Sequence, residues 1–347
     1  MNPFIKTGID KKVARFYDKH YSFLYFKLLN DEDWFFLGNQ TLKKCRFCRK
    51  TEEDGAKFNE IAHCLPESIG NHFFASYYEC DKCNAFFGKR IESEYATYMK
   101  LYHSVFHIHG KKTVPDHIGT DCKSKTTWYN DKPIISEIAP DSEDASKELD
   151  NDSPVIDSGV MKHVEIKGNI IEYSDTAPPH IPIAVFKCFV KMAISIMPEE
   201  ELSRLEDTIS WLTNKKHTNI FFPKKLLCRV KMIPGYNTTK YPCVQLFKRK
   251  GPSQCAIYPL YVFNLTYGNL SFLIEVPIIE EPNQKITSIP FPDIPFITEK
   301  EECWDLSSTD KVDNYVRKIS FTATGGIQEV DPADLSQEII EKAKITP

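Results

Sequence analysis

The sequence predicts an α+β protein, with a small cysteine-clamped module ahead of a mixed domain of two helices and an antiparallel sheet. Three observations carry this. Cys-x-x-Cys occurs twice between residues 45 and 83. A largely apolar run, IPIAVFKCFVKMAISIMP, has proline near each end. After it come four strand-like runs (LLCRVKMIPG, YPCVQLFKR, QCAIYPLYVFNLTYG and LSFLIEVPII) punctuated by Gly, Pro and Asn, as in an antiparallel meander.

Composition sets the frame. The 347 residues are 27% charged and 41% hydrophobic, the balance of a soluble globular chain with room for two domains. No apolar run reaches the ~18 residues of a membrane span, and the first residues hold no signal-peptide core, so a cytoplasmic location is expected. Eleven cysteines in that setting point to thiols and metal ligands rather than disulfides. Seven of them, Cys64, Cys122, Cys188, Cys228, Cys243, Cys255 and Cys303, read as small core residues. The net charge of −4 is unevenly spread. Residues 1–120 are net +3 (18 basic, 15 acidic) and 158–250 net +7 (15 basic, 8 acidic), against −7 in 136–157 and −8 in 251–347. An acidic total therefore does not exclude a nucleic-acid partner, because binding follows the local patch.

In chain order, residues 1–42 read as a helical extension of one or two helices, from the partial helical spacing of VARFYDKHYSFLYFKLLNDEDWFFLG. Residues 43–100 are the cysteine-rich module. Within it KFNEIAH reads as a strand ending at His63, before the breaker Pro66, and AFFGKRIESEYATYMKLYHSVF reads as a helix that buries Phe87, Ile91 and Tyr95 at i, i+4, i+8. Residues 101–135 read as short strands, and 136–160 as an acidic flexible linker. Residues 161–282 form the mixed domain, with a helix over 198–213 whose acidic first turn suits the helix dipole. Residues 283–347 read as a proline-rich acidic tail with a short helix near DPADLSQEIIEKAK.

Two Cys-x-x-Cys knuckles, Cys45/Cys48 and Cys80/Cys83, can close a tetrahedron of four thiolates around Zn²⁺. A closed shell leaves no place for water, so this zinc is structural. The same clip brings His63, at the end of a strand, near Asn84, in the helix after the last cysteine. Taken alone, a histidine beside an apolar strand can equally be a structural residue bonded to a backbone carbonyl.

His63, Pro66, Glu67, Gly70 and Asn71, then Cys80-Asp81-Lys82-Cys83-Asn84 and Phe87-Gly88, resemble the HNH endonuclease family, the ββα-metal nucleases with a treble-clef-like fold. The resemblance covers residues near 43–98. It implies hydrolysis of phosphodiester bonds, with His63 as general base, Asn84 as a ligand of a catalytic Mg²⁺ or Mn²⁺, and Asn71 as the asparagine that braces the histidine loop. Where many members carry an acidic or histidine metal ligand before the base, this chain has Ala62. Glu60, two residues earlier on the expected strand, Glu67 and His72 are the candidate substitutes. His107 and His109 form a His-x-His that could bind metal but lacks an acidic or cysteine partner nearby.

Lys43, Lys44, Arg46, Arg49 and Lys50, with Lys89 and Arg90, flank this site and would track a phosphate backbone. The pairs at 111–112, 215–216 and 224–225 and the triplet at 248–250 read as solvated surface. The expected partner is DNA, with RNA open, and a homodimer where both strands are cut. Defence against foreign DNA is the expected setting. A non-catalytic zinc module that binds nucleic acid or protein is the other reading, favoured by Ala62. The partner of the C-terminal half is not legible.

Overall fold

The helical spacing that begins at Lys11 stops at His20, where the chain becomes a strand. The computed structural model describes residues 11–30, 32–118, 124–129, 132–137, 164–167, 170–233, 239–251, 257–279, 286–292, 300–313 and 315–322. Helix α1 is Lys11–His20, β1 is Tyr21–Leu28 and β2 is Phe35–Leu37. The aromatic run that could have continued the helix pairs instead, from Tyr21 opposite Arg249 to Leu28 opposite Cys243. Its side chains had no decisive period, so the open edge of a sheet decided its state.

In the module, β3 is only Ala62–His63 and β4 is Phe74–Ser76. β3 pairs antiparallel with β4, His63 opposite Ala75, and β2 pairs parallel on its other side. The strand expected over 57–63 is thus a loop until its last two residues. Helix α2, Asp81–Phe87, continues through a π-helical turn, Gly88–Glu92, into α3, Ser93–Val105. Phe87, Ile91 and Tyr95 are fully buried along this run, as their spacing predicted.

Short strands follow as expected: β5 (His117–Ile118), β6 (Ser124–Tyr129) and β7 (Lys132–Glu137) form one sheet. Then β8 (Val164–Lys167) and β9 (Ile170–Ala177) pair antiparallel. The acidic linker falls outside the described residues, apart from its first two, which end β7.

Helix α4, Pro182–Ile196, is buried at every residue, including Lys187 and Lys191, so it lacks the polar stripe of a surface helix. The predicted second helix is split: Glu199–Leu205 is 3₁₀ and only α5, Glu206–Thr213, is α-helical. The meander gives β10 (Leu227–Met232), β11 (Thr239–Arg249), β12 (Tyr261–Gly268) and β13 (Leu270–Glu275). β12 and β13 are buried along their whole length, so they carry no in–out alternation. Gly268 turns between them at φ +56°, with the Ile108 side chain against it where a Cβ would stand.

The tail departs from expectation. Its residues form β14 (Lys300–Asp305) and β15 (Tyr315–Thr322). The main sheet runs β1-β11-β12-β13-β10-β14, with β14 one edge and β1 the other, and β15 lies against β9. The helix expected near 331–344 lies outside the described residues. Cys64, Cys188 and Cys228 are core residues as expected, Cys243 is half-buried, and Cys303 on edge strand β14 is exposed; Cys122 and Cys255 lie outside the described residues. One apolar cluster joins the module to α4 and the main sheet, from Cys45 through Phe87 and Phe189 to Phe272. Among the described residues no helix is long and apolar enough to cross a membrane.

Candidate metal centre and the histidine beside it

Cys45 and Cys48 sit on a tight knuckle closed by Cys45 N–H to Lys50 O and Arg49 N–H to Cys45 O. Cys80 caps α2 and Cys83 lies in its first turn. The four Sγ atoms all lie within 4.8 Å of one another, and Cys48 and Cys80 are 3.7 Å apart. Four sulfurs at the ~2.3 Å of a zinc–thiolate bond stand roughly 3.8 Å apart on the edges of a tetrahedron. The cluster fits Zn²⁺ in size and in donor softness. A hydrogen bond with Cys83 brings the Cys45 thiol down to about 5, and Cys83 is pushed up by the same bond. Burial pushes Cys80 up to about 11. Thiols this crowded share protons, and a divalent cation replaces those protons on binding.

Asp81, next to Cys80 of the cluster, fixes the chain before β3. Asp81 accepts the backbone N–H groups of Asn59 and Glu60 at 2.9 and 3.0 Å, and donates its own N–H to Lys57 O. His63 follows, half-buried. Burial lowers its pKa below the usual imidazole value; Glu67 and a hydrogen bond with the His72 backbone work the other way, and Lys191 adds to the lowering. Its Nε2 is buried and has no hydrogen-bond partner. Trp34 lies against the ring, centroids 5.7 Å apart.

Asn71 is fully buried and spans the loop between β3 and β4. Its Nδ2 donates to Leu65 O and Phe74 O at 2.7 and 2.9 Å, and its Oδ1 accepts Phe74 N–H at 3.0 Å. All three polar positions are used, so the loop that carries His63 has one conformation to settle in. Gly70 enters this loop at φ +88°, the left-handed turn that a side chain would strain.

A second support comes from α4. Lys191, fully buried, donates from Nζ to His63 O at 2.8 Å and pairs with Glu79 at 3.3 Å and Glu92 at 3.0 Å. Burial acts to lower its pKa, but the two carboxylates raise it further. Glu79 is pushed up to about 7, by burial first, then by Glu92 against the pull of Lys191. The π-helical turn ends at Glu92, and such turns often mark functional positions. Nothing in the motif announced this cation. The available signal was two lysines four apart, Lys187 and Lys191, inside an otherwise apolar helix.

The remaining predicted residues divide. Asn84 is half-buried in α2, one position after Cys83. Glu67 faces Lys111 at 3.1 Å while acting on His63. Glu60 does not share a strand face with Ala62: residue 60 is an exposed bend, whereas Ala62 is 1% exposed on β3. His72 is exposed, and its side chain lines a cavity of about 290 Å³ with Phe73, His107, His109 and Tyr241. The rings of His107 and His109 meet at 4.9 Å. Among the described residues the four cysteines are the one group of three or more His, Cys, Asp or Glu side chains that converges on a metal-sized volume.

Among the basic residues Arg46 requires a correction. It is 4% exposed, and its Nη1 donates to Ile194 O, Ser195 O and Met197 O at 2.7, 2.7 and 3.1 Å. It closes the C-terminus of α4 and is not free for a phosphate. Arg49 is partly engaged by Glu199 and Leu202 O, and Lys43 faces Glu52. Lys44, Lys50, Lys89 and Arg90 are exposed. Of the distant clusters, Lys248 is held by Glu201 and Lys224 by Glu275.

Residues 45–99 match the family model of the HNH endonucleases. No curated protein and no solved structure matches the chain. The matched stretch holds both knuckles, His63, Asn71 and Asn84, and stops short of Trp34 and Lys191. An HNH endonuclease domain implies nuclease chemistry and nucleic-acid binding.

Proposed function

We propose that the chain is a divalent-metal-dependent endonuclease that hydrolyses phosphodiester bonds of DNA with His63 as general base. The observation that carries this reading is the buried, unpartnered Nε2 of His63, on a residue held through its loop, its carbonyl and its ring. Asn71 braces its loop, Lys191 holds its carbonyl, and the His72 backbone engages the ring. An imidazole held neutral by burial is ready to take a proton at neutral pH.

In the step itself, water attacks phosphorus, its proton passes to His63, and the bond to the leaving sugar oxygen breaks. Asn84, with Glu67, would hold Mg²⁺ or Mn²⁺, which when bound offsets the charge that grows on the phosphoryl and leaving oxygens. Exposed Lys89 and Arg90, with Lys44 and Lys50, supply the attraction for the backbone. One such site cuts one strand, so a double-strand break requires a homodimer or two visits. A nuclease module joined to an unfamiliar second half suits defence against foreign DNA.

Ala62 favours a second reading, a zinc module that binds without cutting, because its methyl group offers a catalytic metal nothing. A plasmid-nicking assay with Mg²⁺ and with Mn²⁺ separates the two. Metal-dependent nicking that disappears in His63→Ala, with zinc retained, supports the enzyme. A zinc-loaded wild type that leaves plasmid, linear and single-stranded DNA and RNA intact supports the binding module.

A further inference from the structure

Trp34 lies outside the matched stretch, yet its ring stands against His63. It is 45% exposed, although large apolar rings usually gain from burial. Its orientation is nevertheless fixed. Phe36 stacks with it at 5.5 Å and 27°, and Tyr77 stacks with Phe36 at 4.7 Å and 15°. Phe73 meets its edge at 5.8 Å and 89°. The strand pairing that places His63 opposite Ala75 also places Phe36 beside Ala75, so the ring ladder and the histidine share one frame. The result is a flat, pre-oriented, solvent-facing indole beside a buried imidazole nitrogen that lacks a polar partner.

We propose that Trp34 stacks an unpaired nucleobase of the strand whose phosphate is presented to His63, so that the preferred substrate is single-stranded or locally unpaired DNA. This rests on the nuclease reading above. A base is favoured over a phosphate at the indole because Glu32 and Asp33, both exposed, directly precede Trp34 and repel a backbone anion. The face of a base is uncharged and stacks on an aromatic ring whatever its sequence. In a duplex the faces of each base are already covered by its neighbours, so the platform is filled only by a base turned out of the stack.

The test is binding in a His63→Ala background, which removes cleavage, with Ca²⁺ present. Fluorescence anisotropy compares a labelled 12-nucleotide single strand with a hairpin duplex of the same sequence. The single strand should bind more tightly. Trp34→Ala should weaken it about tenfold, with little change for the duplex, and Trp34→Phe should keep most of the affinity. Zinc content of each variant serves as the folding control. Equal single-strand affinity with and without Trp34, or equal losses on both substrates, overturns the platform. If wild type still nicks plasmid in a His63-dependent way, only the platform has failed. A wild type that neither binds nor cuts nucleic acid removes both proposals.

Discussion

Lys191 Nζ donates to the backbone carbonyl of His63 over 2.8 Å, across 128 residues of sequence. Helix α4 of the second half thereby becomes part of the frame around the histidine. Because the same ammonium pairs with both Glu79 and Glu92, the contact is also an electrostatic keystone.

Lys191→Met should therefore destabilise the protein by about 3–5 kcal/mol, the usual cost of leaving buried partners without their counter-charge. Thermal melts read this directly. Adding Glu79→Gln to Lys191→Met should restore part of the loss; no recovery would mean that Glu79 does not depend on this cation.

Asn71→Ala should cost about 2–4 kcal/mol, since it strands Leu65 O, Phe74 O and Phe74 N–H in the interior. Asn71→Asp should be no milder. It keeps the acceptor for Phe74 N–H but turns a carboxylate oxygen toward two carbonyls. Denaturant midpoints rank the two, and a near-neutral Asp variant would contradict the bonding described.

The pH dependence of cleavage follows from His63. Its folded pKa is depressed, chiefly by burial, so the neutral, proton-accepting form persists below the ordinary imidazole range. Activity should hold as pH falls through the ordinary imidazole range and decline only below it. Single-turnover rates across that window, in wild type and His63→Ala, check this. A limb centred above the ordinary histidine value would contradict the burial argument.

The basic residues should separate by role. Replacing Lys89 and Arg90 by alanine should leave the melting temperature nearly unchanged. If both contact phosphates, it should reduce the slope of log affinity against log salt by about 1.8 for duplex or about 1.4 for single-stranded DNA. Arg46→Ala should instead lower stability by about 3 kcal/mol or more, because three buried carbonyls lose a charged donor. Melts and salt titrations of both variants distinguish the classes.

One zinc per chain is expected in the purified protein. Cys80→Ser should lose it and unfold the module, since the clip joins the Cys45 knuckle to the start of α2. Structural zinc sites supply roughly 10–16 kcal/mol of apparent binding energy. Metal analysis with circular dichroism would detect this, and a Cys80→Ser protein that keeps its zinc and its melt would exclude the site.

Much of the site was legible in the chain itself. The spacing of Cys45, Cys48, Cys80 and Cys83 announced a metal, because ligand geometry demands those short loops. Phe87, Ile91 and Tyr95 announced a buried helix face, because a helix repeats on that period. The bracing role of Asn71 entered through family resemblance, and its three buried hydrogen bonds supply a physical account of it.

What the sequence could not decide were the choices made between segments far apart. The run YSFLYFKL had no decisive period, and β11 made it a strand by offering its edge. Residues 300–305 and 315–322 became strands in the same way, by finding β10 and β9. Arg46 looks like any surface cation until the C-terminus of α4 draws it inside. Lys191 looks like a flaw in an apolar helix until Glu79, Glu92 and the carbonyl of His63 surround it. Local order follows from side-chain period and ligand spacing, which the chain carries in itself. Burial and partnership depend on what the rest of the chain brings alongside, and only the tertiary structure fixes that.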